Sequence, residues 1–240
     1  MSIYDDFGLN NTVPQKNNSF SGFLGACFKL LLLFLLLLFL IKGFTNTLNT
    51  ESNTEKINID LANIPPPEQY NTVGGVEVEI NGGTADITYV AEYVLCGRVV
   101  DVQLYGGSSI ADKLSPKDIG VAWGFLASDE SKSKVKWTSS GNRFLYWNVS
   151  DGSWYQANGG ENAMTTHHSN NHLIPANDDV EKLVKKIKKD DYVQVSGYLV
   201  KIYWTNDEGR WFKWNSSTVR NDDGDGACEI IYVTDVKWLK

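Results

Sequence analysis

Most of the chain after residue 70 consists of short runs in which apolar and polar residues alternate. Residues 76–80 (Val-Glu-Val-Glu-Ile) have a period of two, and Asn81-Gly82-Gly83 follows them directly. Such alternation predicts a half-buried strand, and Asn-Gly between two strands is the strongest short-range hairpin signal. We therefore predict a β-hairpin whose second strand covers residues 86–90.

Further apolar runs, rich in β-branched and aromatic residues, predict a mainly β domain. The predicted strands cover residues 93–102, 119–126, 135–138, 144–149, 192–203, 210–214 and 229–239. Only one segment changes period: between Val180 and Ile187 apolar residues recur at i, i+3, i+4 and i+7, which indicates an amphipathic helix. Asp178 and Glu181 resemble a capping box at its start.

The order of these elements resembles an OB-type barrel, in which one helix lies between the third and fourth of five strands. The run from Asp191 to Leu199 is similar to the strand that enters such a barrel after the helix, and Gly97 and Gly197 suit bends in barrel strands. The predicted fold class is mainly β with one amphipathic helix, an OB-like small barrel plus an amino-terminal hairpin, preceded by one transmembrane helix. A different small barrel or sandwich is the alternative.

Residues 22–42 are the most apolar part of the chain. Lys29 is the one charge among the twenty residues from Gly22 to Ile41. Twenty helical residues span about 30 Å, the thickness of a hydrocarbon core, so we predict a transmembrane helix. The alternative is a cleaved signal peptide, because the uninterrupted apolar core from Leu30 has only twelve residues. The residues that follow lack an Ala-x-Ala cleavage pattern.

This helix divides the chain into four predicted parts. They are a polar tail (1–21), the transmembrane helix (22–42), a flexible stalk that ends near Pro65-Pro66-Pro67 (43–69) and a β-rich soluble domain (70–240). The lipid bilayer is thus one predicted partner, through residues 22–42. We expect the protein in the inner (plasma) membrane with its carboxyl-terminal domain in the periplasm or outside the cell.

The formal net charge of the chain is −7, which limits the classes of ligand expected for the domain. Affinity for nucleic acids comes largely from cationic side chains that displace counterions. An acidic domain therefore argues against general nucleic-acid binding. Aromatic residues make up 12% of the chain, which is typical of a folded domain and supplies surfaces for sugar or peptide contacts.

The three histidines, His167, His168 and His172, fall in one polar stretch that we predict to be a loop. The seven residues from His172 to Asp178 resemble part of the Asp-Arg-Gly-His-x-x-Pro box of non-specific nucleases with a ββα-metal core. That resemblance implies a general base at His172. However, Asn170 and Asn171 replace the Arg and Gly of the box, and the following helix offers Lys where the family has an Asn metal ligand.

Two groups of candidate site residues follow from these patterns. The candidate catalytic residues are His172, Asp222 and Glu229, and the candidate binding residues are Asn171, His172, Arg220 and Asp222. No metal site and no cofactor is predicted. Outside the cytoplasm two thiols in one domain usually pair, which favours a disulfide between Cys96 and Cys228 over two separate buried thiols.

Four blocks of sequence resemble a family of uncharacterised bacterial single-pass membrane proteins with a β-rich domain. They are LSPKDIGVAWG, NNHLIPAN, GYLV and SSTVRNDDGDGACEIIYV, between Leu95 and Val236. The most distinctive motifs are NNHLIPAN and SSTxRxDxGxGACE. The resemblance implies a protein of the bacterial envelope.

No complete catalytic set is visible, so the sequence favours a binding domain over an enzyme. We expect a membrane-anchored, extracytoplasmic binding or scaffolding domain whose partner is an envelope protein or glycan. The alternative is a metal-dependent hydrolase, similar to a nuclease or phosphodiesterase, that uses His172.

Overall fold

The computed structural model of the chain describes residues 56–61, 63–222 and 226–240. The predicted tail (1–21) and transmembrane helix (22–42) lie outside the described residues, and so do residues 43–55 of the predicted stalk. Across the described ranges, no helix has the length and apolar character needed to cross a membrane.

Strands dominate the described part of the chain, which confirms the mainly β prediction. The strands are β1 (Lys56–Ile57), β2 (Glu68–Tyr70), β3 (Gly75–Ile80), β4 (Gly83–Leu104), β5 (Lys117–Ala122), β6 (Val135–Ser139), β7 (Leu145–Val149), β8 (His168–Pro175), β9 (Tyr192–Thr205), β10 (Trp211–Asn215) and β11 (Glu229–Leu239). The helices are α1 (Ile110–Leu114), α2 (Asp129–Lys134), α3 (Gly152–Ala157), α4 (Gly160–Thr166) and α5 (Asp178–Lys186), with one 3-10 turn at Gly124–Ala127.

Five of the strands close a ring. β4 is antiparallel to β5 and to β9, β5 is antiparallel to β8, β8 is parallel to β11, and β11 is antiparallel to β9. Apolar side chains from all five strands form one buried cluster, which includes Leu95, Ile119, Leu173, Val195 and Ile231. Because the pairing returns to its starting strand, each ring strand has a hydrogen-bonded neighbour on both sides.

The predicted hairpin is confirmed. β3 pairs antiparallel with the start of β4, with Ile80 opposite Gly83. The two residues between them, Asn81 and Gly82, have φ of 56° and 73°. These left-handed values are the ones a two-residue hairpin turn needs, and Asn and Gly adopt them at least cost.

The predicted amphipathic helix is confirmed as α5, with a different cap. The side chain of Asn177, and not Asp178, accepts from the first backbone N–H groups. Val180 and Val184 join the core of the ring. At the other end, the buried ammonium group of Lys117 donates to the carbonyls of Lys185 and Ile187, which satisfies helix-end acceptors that would otherwise lack partners.

Four other helices, α1 to α4, were not predicted. Each has only five to seven residues, too few for an apolar period to be visible. Three of them have a side-chain N-cap. The side chains of Ser109, Ser128 and Asp151 accept hydrogen bonds from backbone N–H groups at the start of α1, α2 and α3. In chain order, α1 lies between β4 and β5, and α2, α3 and α4 lie between β5 and β8.

Candidate functional site

The stretch around the histidines was predicted to be a loop, and that prediction is wrong. Residues 168–175 form β8, one of the five strands of the ring. β8 lies between β5 and β11, with His172 opposite Asp118 on β5 and opposite Ile230 on β11. The amino-acid sequence favoured a loop because Ser169, Asn170 and Asn171 are polar. In the fold these polar side chains find hydrogen-bond partners, so the strand can be buried.

Two adjoining cavities lie beside β8, and Phe144 and Cys228 line both of them. The Trp214 cavity has a volume of about 400 Å³, and its walls include His172, Phe212 and Trp214. The Glu229 cavity has a volume of about 180 Å³, and its walls include Glu229, Arg220 and His168. Apart from Asn171, the predicted catalytic and binding residues are therefore divided between these two cavities.

His172 lines one wall of the Trp214 cavity. Its Nδ1 lies 2.9 Å from Oδ2 of Asp118, although this approach is not aligned as a hydrogen bond. The ring of Trp214 covers the imidazole, with 4.8 Å between ring centroids. As a result, only 3% of the His172 side chain is exposed.

Arg143 ties the neighbouring loops to Asp118. Its guanidinium donates to Asp118 at 2.7 Å and to Asp112 at 2.8 Å, and it lies 3.7 Å from the ring centroid of Tyr105. The hydrogen bond from Arg143 holds the pKa of the Asp112 carboxyl below its usual range. Burial raises the pKa of the Tyr105 hydroxyl. This network stabilises the wall of the Trp214 cavity around Arg143, because its hydrogen bonds join α1, β5 and the turn between β6 and β7.

Glu229 and Arg220 form an ion pair at the Glu229 cavity. Burial raises the pKa of Glu229 to about 7, although the Arg220 guanidinium acts in the opposite direction. The guanidinium also faces the ring of Tyr93, 5.3 Å from its centroid. Three buried atoms of this cluster have no hydrogen-bond partner among the described residues, namely the Tyr93 hydroxyl, Arg220 Nη2 and Glu229 Oε2.

Asp222 belongs to the same loop as Arg220. Its Oδ2 accepts a hydrogen bond from the Ser217 hydroxyl, and that hydroxyl in turn accepts one from the Val219 backbone N–H. These contacts fix residues 217–222, of which Val219, Arg220 and Asp222 line the Glu229 cavity. Asp222 and Arg220 thus reach the same cavity, as their assignment to one binding site implies, while His172 lies in the other.

Asn171 faces away from both cavities. Its side chain is fully buried, and its amide nitrogen donates to the carbonyl of Ile119 and to Ser169. Its neighbour Asn170, in contrast, lines the Glu229 cavity. The Asn170 amide donates to Cys228 Sγ at 3.3 Å and to the Arg143 carbonyl at 2.6 Å.

Cys96 and Cys228 are both free thiols, so the predicted disulfide is not formed. Cys96 lies on β4 beside Gln194 of β9, whereas Cys228 lies beside Asn170 of β8. The two thiols therefore contact different parts of the ring. Burial raises the pKa of Cys228 to about 11, which keeps it protonated at neutral pH.

His168 is a neutral imidazole at the Glu229 cavity. Its Nδ1 lies 2.6 Å from the Met164 carbonyl, so this nitrogen carries the proton and Nε2 is left as an acceptor. Burial lowers the pKa of His168. Sequence reasoning missed the site roles of His168, Asp118, Arg143 and Trp214, because each depends on a partner distant in the chain. The only local signal was the Gly141-Asn142 turn sequence ahead of Arg143.

Within the described residues, no group of three or more His, Cys, Asp or Glu side chains is arranged to hold a metal ion. Comparison of the whole chain with known protein families, with characterised proteins and with solved structures gave no match.

Proposed function

We propose that the chain is a membrane-anchored binding domain that faces away from the cytoplasm and takes its ligand in the Trp214 cavity. The observation that carries this proposal is the wall of that cavity, where Phe144, Phe212 and Trp214 stand beside the polar groups of Asn142 and Lys213. Aromatic faces with a few polar groups suit the apolar face of a sugar or a peptide side chain. The inferred ligand is a glycan or polypeptide of the bacterial envelope.

We also infer that the ring of five strands is an OB-type barrel with added strands. In chain order its strands would be β4, β5, β8, β9 and β11, and α5 lies between the third and fourth of them. Ligands of OB barrels contact the second and third strands and the loops after the first and fourth. Here Ala111, His172 and Trp214 come from those regions, and all three line the Trp214 cavity.

The proposed envelope location is supported by the amino-terminal sequence and by two motifs of the β-rich domain. The apolar segment at 22–42 supports a membrane anchor, and the resemblance of the NNHLIPAN and SSTxRxDxGxGACE motifs to bacterial single-pass membrane proteins supports the envelope. A domain anchored in the membrane contacts only molecules that lie close to the bilayer. A cell-wall glycan or a neighbouring membrane protein therefore fits the proposal better than a freely diffusing metabolite.

The test uses the full chain in detergent micelles and a tetrasaccharide of β-1,4-linked N-acetylglucosamine as the probe. Saturable binding by isothermal titration is expected, with at least a tenfold loss of affinity in Phe212→Ala. The matched control is Trp211→Ala, since this neighbour on β10 is 68% exposed and does not line the cavity. Equal affinity in both variants, or no binding of the tetrasaccharide, would contradict the proposal that the ligand is a glycan.

A second candidate function, a hydrolase, is favoured by the 2.9 Å approach of His172 to Asp118, which resembles the pairing that orients a catalytic base. Its weakness is the Trp214 ring over the imidazole. The test is hydrolysis of bis-p-nitrophenyl phosphate by the full chain with added Mg²⁺, Mn²⁺ or Zn²⁺. Turnover that disappears in His172→Ala would favour the hydrolase, and equal rates in the two proteins would exclude it.

A further inference from the structure

The Glu229 cavity is a separate space from the proposed ligand site, and its charge differs. Three carboxylates line it, those of Glu161, Asp222 and Glu229, against the single guanidinium of Arg220. His168 adds no charge because it is neutral and offers a lone pair on Nε2. Above about pH 7, where Glu229 is ionised as well as Glu161 and Asp222, the walls carry three negative charges and one positive charge, so the cavity favours a cation.

Glu229 leaves one buried carboxylate oxygen unpartnered at this cavity. Its side chain is only 3% exposed, and Oε2 has no hydrogen-bond partner among the described residues. A buried carboxylate oxygen without a donor is costly, and such atoms in folded proteins usually contact a ligand or an ordered water. When Glu229 is ionised, Oε2 can only accept a hydrogen bond, so its missing partner is a donor.

The remaining walls select the kind of cation. Trp147 and Phe144 supply aromatic surface, and Leu145 and Val219 supply aliphatic surface. Ammonium groups bind well where aromatic faces and carboxylates meet. The volume of about 180 Å³ accommodates about six non-hydrogen atoms at roughly 30 Å³ each.

We propose that the Glu229 cavity binds a primary ammonium group on a short alkyl chain, held by the carboxylates of Glu229 and Asp222 and by the aromatic face of Trp147. This chemistry has two sources, a free aliphatic diamine or a lysine-like side chain that enters from a peptide. The site is distinct from the Trp214 cavity and does not depend on the function proposed for it.

The experiment is equilibrium dialysis of radiolabelled butane-1,4-diamine against the full chain in detergent micelles, at pH 8 and fixed ionic strength. One saturable site per chain is expected, and butane-1,4-diol, which has the same length and no charge, should not displace the label. Nα-acetyl-L-lysine amide is the second competitor. Displacement by this lysine derivative assigns the site to a peptide-borne side chain, and failure to displace assigns it to a free amine.

Two variants and a matched control make the test specific. Glu229→Gln is expected to weaken diamine binding at least tenfold, and Glu161→Gln about threefold. Glu92→Gln is the control, because Glu92 is an exposed carboxylate on β4 outside the cavity. Glu161 is exposed, so its variant reports on binding even if Glu229→Gln does not fold.

The proposal is overturned by any of three results. These are the absence of a saturable site, equal displacement by the diol, and a loss of affinity in Glu92→Gln as large as in the cavity variants. The last result would show nonspecific attraction to an acidic protein. Because the tetrasaccharide experiment uses a different cavity and different variants, failure of one proposal leaves the other intact.

Discussion

Arg143 Nη1 lies 2.7 Å from Oδ1 of Asp118, and this contact joins the turn between β6 and β7 to the middle of the ring. Arg143 reaches it from a left-handed backbone conformation, with φ of 67°. Such a conformation is unfavourable for a long side chain, so the surrounding contacts must hold it in place. The Asp118 side chain is 3% exposed, which makes its partner important for stability.

Arg143→Ala is therefore expected to lower the free energy of unfolding by about 3–5 kcal/mol, because it leaves the carboxylate of Asp118 buried without a cation. Urea unfolding of the full chain in micelles, followed by near-ultraviolet circular dichroism, measures the loss. The control is Arg210→Ala. Arg210 pairs with Glu208 on the surface, where the side chains are 68% and 71% exposed, so the change should stay below about 1 kcal/mol. Equal effects in the two variants would contradict the buried role of Arg143.

Glu229 is expected to make stability depend on pH. Its folded pKa of about 7 lies above the ordinary value of 4.5. As the pH rises from about 4.5 to 7, the unfolded chain releases this proton first, so folding stability falls across that window by at most about 1.4 kcal/mol per pH unit and then levels off. The charged and titratable groups that interact with Glu229 are Arg220, Tyr93, Asp222 and Cys228.

Glu229→Gln isolates this contribution. The difference in unfolding free energy between the wild type and Glu229→Gln should change steadily between pH 5 and pH 7 and become constant above pH 7.5. A difference that does not vary with pH would show that the carboxyl group of Glu229 titrates as it does in water. Glu92→Gln, which alters an exposed carboxylate, should give no such trend.

Gly197→Ala is expected to destabilise the ring where β9 crosses β11. A Cβ at this position would clash with the carbonyl oxygen of Tyr232 and lie 3.1 Å from the Val233 Cα, and backbone atoms cannot move aside without separating the strands. We expect a loss of about 2–3 kcal/mol. Gly141→Ala is the matched control, because nothing lies within 4 Å of its added Cβ, and its unfolding midpoint should be nearly unchanged.

The predicted membrane orientation is tested by fusing alkaline phosphatase after Lys240 in a bacterial host. The enzyme is active only where its disulfides form, so phosphatase activity is expected if the carboxyl-terminal domain lies outside the cytoplasm. Deletion of residues 22–42 should abolish that activity and release the fusion from the membrane fraction. High activity after the deletion would contradict the anchor prediction.

The sequence alone determined the features that depend on neighbours along the chain. Alternation at 76–80 and the Asn81-Gly82 turn specified the hairpin, and the apolar spacing from Val180 specified α5. These signals are local, since side-chain period and turn geometry follow from consecutive residues. The same reasoning placed Arg220 and Asp222 near each other, because they belong to one short loop.

Only the tertiary structure decided what depends on distant partners. A strand with the polar sequence Ser169-Asn170-Asn171 is stable because β5 and β11 satisfy its backbone on both sides and because Asn171 finds the Ile119 carbonyl inside the ring. No local pattern contains that information. For the same reason the contact between Asp118 and Arg143 and the cover of Trp214 over His172 could not be read from spacing, since closure of the ring brings those residues together.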